Sequence, residues 1–307
     1  MSLVKKARRV GESVLLGLGF LLIPFLTRRM VVGLSVAFGR LAFRVSRKLR
    51  DVALANLRLA FGSELSDTDR ARIARESFEI MSLVVLDLLW FSFFSRRRLT
   101  AYVEFDPSFH HYFDTRPAIA VTGHFGNWEI MGQAGALRGH PCVTPAAPIK
   151  NKFVDKVIRR RRGATGLELT SQRGAVRAML RTLRDGGRTA LIMDQNTLPE
   201  QGGEFVQFFG RPVPVSGAAG LLSKHTGADI VFVYCILEPG GRYCLHATPV
   251  RRQEAGETGV TQRITAMLED VIRERPGHWL WMYKRWKYVP DGVPADGYPF
   301  YARRKNT

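Results

Sequence analysis

The feature that most restricts this chain is a five-residue apolar run, Ala118-Ile-Ala-Val-Thr122, which stops at Gly123. It is too short for a buried helix and offers no alternating polar face to water. It therefore reads as a strand covered on both sides. Such a strand needs strand neighbours and helices above and below, which predicts an α/β sheet. The remaining sequence supplies these parts. Further strands are predicted over 142–144 and 189–193, the latter ending at Asp194. Two more, over 230–237 and 243–248, flank the Pro-Gly-Gly turn at 239–241. Helical spacing recurs over 127–137, 153–162, 174–184, 217–226 and 261–275, where Pro276-Gly277 stops the last helix. The expected fold is α/β, a mixed sheet flanked by helices, with no internal repeat.

Ahead of the sheet the chain is mostly helical. Apolar residues recur at helical spacing over 48–61, and Gly62 ends that element. Ser66-Asp-Thr-Asp69 offers N-cap chemistry for a helix running to about Trp90. Residues 14–26 form a thirteen-residue apolar run with Lys5, Lys6, Arg8 and Arg9 before it and Arg28 and Arg29 after it. As a helix this run spans about 20 Å, short of a hydrocarbon core of ~30 Å. It lacks the small-residue cleavage site of a signal peptide. The favoured reading is an interfacial, membrane-associating anchor; a buried helix and a single stretched span are the alternatives. We therefore divide the chain into an N-terminal basic, apolar anchor (1–45) and an α/β region with a helical start (46–307).

Charge narrows the partners. The net charge is +19, and the first fifty residues carry eleven bases against one acid, Glu12. Such a surface attracts phosphates of lipid or nucleic acid, or an acidic carrier protein. No nucleic-acid-binding signature accompanies it, and an apolar N-terminus has no use on nucleic acid. The three cysteines, Cys142, Cys235 and Cys244, are odd in number and widely spaced, which argues against a disulfide framework and fits a reducing compartment. No HExxH or comparable metal-ligand spacing occurs, so no metal and no cofactor are expected.

The candidate chemistry lies just past the first strand, in Gly123-His-Phe-Gly-Asn-Trp-Glu129. Ligands of open α/β sheets bind at the C-terminal strand edge. There a carboxylate in the first helical turn can reach a histidine in the preceding turn. Glu129 is thus expected to orient His124, which would take a proton from a hydroxyl. With seven histidines and 27 acids in the chain, the spacing carries little weight without this setting. The competing reading is a turn histidine packed under Trp128.

The same stretch resembles the signature of the late lipid A biosynthesis acyltransferases (lauroyl/myristoyl transferases), inner-membrane enzymes of the lysophospholipid acyltransferase superfamily. The resemblance continues through Ala55-Asn-Leu-Arg-Leu-Ala-Phe61 and through Asn151, Asp155, Arg162 and Gly166. It extends over Met193-Asp-Gln-Asn196, Val206-Gln-Phe-Phe-Gly210, Pro276-Gly-His-Trp-Leu-Trp281 and Arg285-Trp-Lys287. Lys152 replaces the usual proline, and Asn196 stands where many members carry a second acid. The resemblance implies a His-x4-Glu enzyme at the cytoplasmic face of the inner membrane. It would move a fatty acyl chain from acyl carrier protein (or acyl-CoA) to a hydroxyl of an anionic lipid or glycolipid. His124 would be the general base and Glu129 its orienting partner. Arg162 would meet a phosphate or oxyanion, and Asp194 would order Arg162 or the acceptor head group. Gly126 and Asn127 would shape the turn and supply backbone donors. Gln195 would contact substrate, and Phe209 would pack near the acyl groove. Trp279, Trp281, Tyr283 and Trp286 read as core or interfacial aromatics rather than site residues. The acceptor stays open between a lipid A precursor, another glycolipid and a lysophospholipid. A catalytically idle surface protein is the reading from another class.

Overall fold

The computed structural model describes residues 17–146, 151–163, 165–171, 174–251 and 259–304. The named helices ahead of the sheet are α1 (Arg28–Val45), α2 (Arg47–Phe61), α3 (Asp67–Trp90) and α4 (Ser95–Tyr102). Strands β1 (Val103–Phe105) and β2 (Ala118–Thr122) precede α5 (Trp128–Leu137), β3 (Val143–Pro145), α6 (Lys152–Gly163), β4 (Glu168–Thr170), α7 (Ala175–Arg184) and β5 (Arg188–Ile192). A hairpin of β6 (Gly203–Phe208) and β7 (Arg211–Ser216) follows, then α8 (Ala218–Thr226), β8 (Asp229–Glu238), β9 (Arg242–Val250) and α9 (Val260–Glu274).

Seven strands form one mixed sheet in the order β1-β9-β8-β2-β5-β3-β4. β2 lies between β8 and β5, parallel to both, while β8 and β9 are antiparallel. Its five residues are all buried, as the unbroken apolar run requires. Side chains of a strand alternate between faces. Ile119 and Val121 join the core formed with α7, α8 and α9, and Ala118 and Ala120 join the core under α5 and α3. Small residues thus recur on one face. Ala120 is the register partner of Ala190 in β5, and this leaves space beneath α5.

The caps follow the sequence. Ser66 Oγ accepts from the Asp69 amide at 3.1 Å to start α3, and Thr27 Oγ1 accepts from the Met30 amide at 3.3 Å to start α1. Residues 1–16 of the expected anchor, including Lys5, Lys6, Arg8 and Arg9, lie outside the described residues. From Arg28 onward the N-terminal segment is part of the packed fold, with Val31, Ser35 and Gly39 turned inward along α3. At Gly39 a Cβ would stand 2.4 Å from the Glu79 Cα, so the two helices touch backbone to backbone there. The packing does not break at residue 45. The opposite side of α1 leaves Met30, Phe38, Leu41 and Val45 in solvent. Among the described residues no helix is long and apolar enough to cross a membrane.

Among the elements that were not expected are β4 and the β6–β7 hairpin. β4 is a three-residue strand pairing with β3, too short for a periodicity to show. The β6–β7 hairpin pairs apart from the main sheet, and Pro212 and Pro214, which lack amide donors, hide its second strand. Its two-residue turn, Phe209-Gly210, has positive φ at both positions, the geometry that suits the strands' twist.

Candidate active site

Parallel register builds the centre of the site. Thr122 is the partner of Ile192, so two residues beyond each strand end His124 faces Asp194. Asp194 Oδ1 accepts from His124 Nδ1 at 2.7 Å, and Asp194 Oδ2 accepts the His124 backbone amide at 2.8 Å. Trp279 Nε1 donates to the same Oδ2 at 2.9 Å. Gly123 makes this approach feasible, because a Cβ there would meet Leu268 at 2.9 Å and Asp194 Oδ2 at 3.1 Å.

This differs from the expected pairing. Glu129 does not orient His124; its carboxylate is held by Arg162. Arg162 Nε donates to Glu129 Oε2 at 2.8 Å, and Nη2 donates to Oε1. Nor does Asp194 order Arg162: it is buried behind the imidazole. The cause is topological. A five-residue sequence separation only permits a contact, whereas adjacent parallel strands enforce one. The signal for Asp194 was its place after a second apolar run, but strand adjacency cannot be read from the runs alone.

The electrostatics follow. Burial penalises both charges, yet the mutual attraction of the pair outweighs it. The His124 pKa is raised by the Asp194 carboxylate, with a smaller contribution from Glu129. Burial likewise opposes ionisation of Asp194, but His124 and the three donated bonds hold its pKa below the ordinary carboxylate value. A carboxylate on Nδ1 fixes the proton there, which leaves the Nε2 lone pair of neutral His124 as the base. Gln195 Nε2 lies 3.4 Å from that atom. The ring also meets Trp128 edge-on, with centroids 4.7 Å apart, so the packing under Trp128 is real and coexists with the Asp194 bond.

His124, Glu129, Arg162 and Gln195 line one cavity of about 450 Å³. Its walls are mostly apolar, including Phe109, Met131, Cys142, Leu167 and Val233. The space exists because Ala120 and Ala190 in the sheet and Gly132 and Gly135 in α5 are small. A base, a guanidinium and a greasy chamber therefore share one wall.

Three other expected site residues are placed elsewhere. Gly126 is not a free backbone donor: its amide donates to the His278 carbonyl at 2.9 Å. Its φ is +58°, and a Cβ would fall 1.8 Å from the Cys235 carbonyl oxygen, so the position requires glycine. Asn127 faces away from the cavity. Its Oδ1 caps α5 by accepting from the Ile130 amide at 3.3 Å, and its Nδ2 donates to Asp87 Oδ2 at 3.0 Å. Phe209 does not border the cavity either; it is buried against Phe61 and Trp281, because its hairpin folds under α9 rather than beside α5.

The tryptophans are core, as expected: Trp279, Trp281 and Trp286 are fully buried. All three cysteines are free thiols. Away from the cavity, the alternate β9 residues Cys244 and His246 meet Asp106, with ligand atoms within 4.8 Å of one another, a grouping that sequence spacing did not reveal.

Comparison with known proteins completes the picture. Among solved structures, the 1-acyl-sn-glycerophosphate acyltransferase PlsC from Thermotoga maritima is 16% identical, with a TM-score of 0.39, covering 82% of this chain and 99% of that one. A likeness that slight supports no inference. No curated protein matches the chain significantly. The profile of the bacterial lipid A biosynthesis acyltransferases, by contrast, matches residues 4–288, the site and nearly the whole fold included. The chain belongs to the bacterial lipid A biosynthesis acyltransferase family.

Proposed function

We propose that this acyltransferase moves a fatty acyl chain from acyl carrier protein to a hydroxyl of a lipid A precursor at the cytoplasmic face of the inner membrane, with His124 as general base. The observation that carries the reading is the Asp194–His124 pair set at the wall of an apolar cavity. Nε2 of His124 takes the acceptor's hydroxyl proton as its oxygen attacks the thioester carbonyl. The tetrahedral intermediate collapses, the carrier thiolate leaves, and the imidazolium returns the proton to sulfur. An ester and a free thiol result, and no covalent enzyme intermediate is needed. Asp194 stabilises the imidazolium. Arg162, clamped by Glu129 in a bidentate pair, presents its remaining N–H groups to a phosphate or to the oxyanion. The apolar walls take the acyl chain.

Membrane association is supported by two features of the N-terminal segment. Residues Leu21, Leu22, Phe25, Met30, Phe38 and Leu41 are exposed, and Arg29 and Arg44 are exposed in the same segment. Apolar residues for acyl chains beside bases for lipid phosphates are the makings of an interfacial surface. The positive surface also suits an acidic carrier.

The test uses purified protein with acyl carrier protein and coenzyme A thioesters, offered a lipid A precursor, a lysophospholipid and a second glycolipid in turn, with products read by mass spectrometry. An added secondary acyl chain on the lipid A precursor, from the carrier thioester, supports the reading. Transfer only to another acceptor or only from coenzyme A replaces that part of it. His124→Ala should lose activity by about 10³-fold or more while keeping the wild-type circular dichroism; full activity in the folded variant would remove His124 from the mechanism.

A further inference from the structure

Behind the catalytic turn lies a buried polar cluster that the chemistry above does not use. Arg28, Asp87, Asn127 and Tyr243 are each no more than 4% exposed. Arg28 donates to both oxygens of Asp87, through Nη1 and, at 3.3 Å, through Nη2. Its Nε donates to the Gly241 carbonyl at 2.7 Å. Asp87 Oδ2 accepts from the Tyr243 hydroxyl and, at 3.0 Å, from Asn127 Nδ2, which also reaches the Tyr243 oxygen at 3.1 Å. The cluster thus joins the first residue of α1, the last turn of α3 and the start of β9 to Asn127, in the turn between His124 and Glu129.

Stability does not explain this arrangement. Two buried charges cost desolvation that their attraction only roughly offsets, and an apolar cluster of the same volume serves a core equally well. What the charges add is direction. Arg28 holds both oxygens of the carboxylate in place, and because Oδ2 can only accept, Asn127 must turn its amide nitrogen toward it. The opposite end of that amide, Oδ1, is then aimed at the Ile130 amide and caps α5. The same turn seats Trp128 against the His124 ring and sets Glu129 on Arg162.

We propose that Asp87, held by Arg28, is a positioning residue of the acyl-transfer site: through Asn127 it fixes the turn that carries Trp128 and Glu129. The proposal rests on the reading of His124 as general base. Neither Arg28 nor Asp87 borders the cavity, so any effect they have on turnover is indirect.

Two variants separate tether from cap and from charge. Asn127→Ser keeps a hydroxyl able to cap α5 but cannot span to Asp87. Arg28→Met combined with Asp87→Asn removes both charges together, so no lone buried charge remains. Each is assayed at 10 °C with circular dichroism and thermal melting, alongside wild type and His124→Ala. The expected result is a kcat lowered about tenfold or more, as small misplacements at a reaction centre produce, with KM for the acyl donor within about twofold and the folded fraction complete. The ¹⁵N resonances of the His124 ring, assigned by their loss in His124→Ala, should move because Trp128 has moved. A wild-type kcat and unshifted His124 resonances in folded Asn127→Ser would overturn the proposal, whatever the double variant does. If the double variant does not fold, Asn127→Ser alone decides. Activity retained by His124→Ala would instead sink the general-base reading, and so separates the two failures.

Discussion

At the scale of single residues, the site divides its two carboxylates between a histidine and an arginine. Asp194 takes the imidazole and Glu129 takes the guanidinium. The histidine and its place after a buried strand were legible in the sequence, because a strand end followed by glycine leaves few positions for a catalytic side chain. The partner was not legible, because Glu129 and Asp194 are both carboxylates and only strand adjacency decides which lies opposite. The Glu129–Arg162 pair yields a prediction of its own. A planar fork with two bonds to one carboxylate keeps both its place and its free N–H groups, and an ammonium cannot. Arg162→Lys should therefore lower kcat/KM by about 10-fold and Arg162→Ala by about 100-fold, with the fold intact by circular dichroism. Equal activity in the lysine variant would show that charge alone suffices there.

At the scale of elements, the sheet's alternation does two jobs. Large residues of β2 fill the core beneath α7, α8 and α9, and its alanines open a chamber beneath α5. The central strands were predictable because runs buried on both faces must be unbroken and apolar. β4 and β7 escaped because three residues carry no period and prolines disguise a strand. The alanine face was visible in Ala118-Ile-Ala-Val-Thr122 and in Thr189-Ala-Leu-Ile-Met193, but its meaning depended on the register that sets Ala120 beside Ala190. This chamber can be narrowed from the sheet side. In Ala190→Leu the added methylenes compete with the bound chain at about 0.8 kcal/mol per displaced CH₂. The variant should shift the preferred acyl donor shorter by a few carbons, read as kcat/KM across a series of carrier thioesters. An unchanged chain-length profile would place the acyl chain outside this cavity.

At the scale of the whole molecule, the first helix serves both the interior and the surface. Its inward side packs on α3 with Arg28 buried, and its outward side shows apolar residues between bases. The sequence indicated the basic, apolar character of this end; it did not indicate that the segment from Arg28 is a structural part of the enzyme. Phe38 and Leu41 are 48% and 58% exposed and belong to neither core cluster. Phe38→Glu with Leu41→Glu should weaken binding to vesicles of anionic phospholipid about tenfold or more, while melting temperature and turnover of detergent-dispersed substrate stay near wild type. Undiminished vesicle binding would move the membrane contact to another face.

The division of labour between the two carboxylates is tested most directly by the pH dependence of kcat/KM for wild type, Asp194→Asn and Glu129→Gln. With neutral His124 as the proposed base, the rate falls as pH drops through its pKa. Asp194 raises that pKa above the ordinary 6.5, with Glu129 a smaller contributor. The acid limb of the wild-type profile should therefore lie above 6.5. Asp194→Asn should shift it to lower pH, since burial then acts unopposed by that carboxylate, and should lower the plateau rate. Glu129→Gln should move the limb less. A limb that stays in place in Asp194→Asn and falls in Glu129→Gln would contradict the account, and would return the orienting role to the carboxylate five residues along the chain.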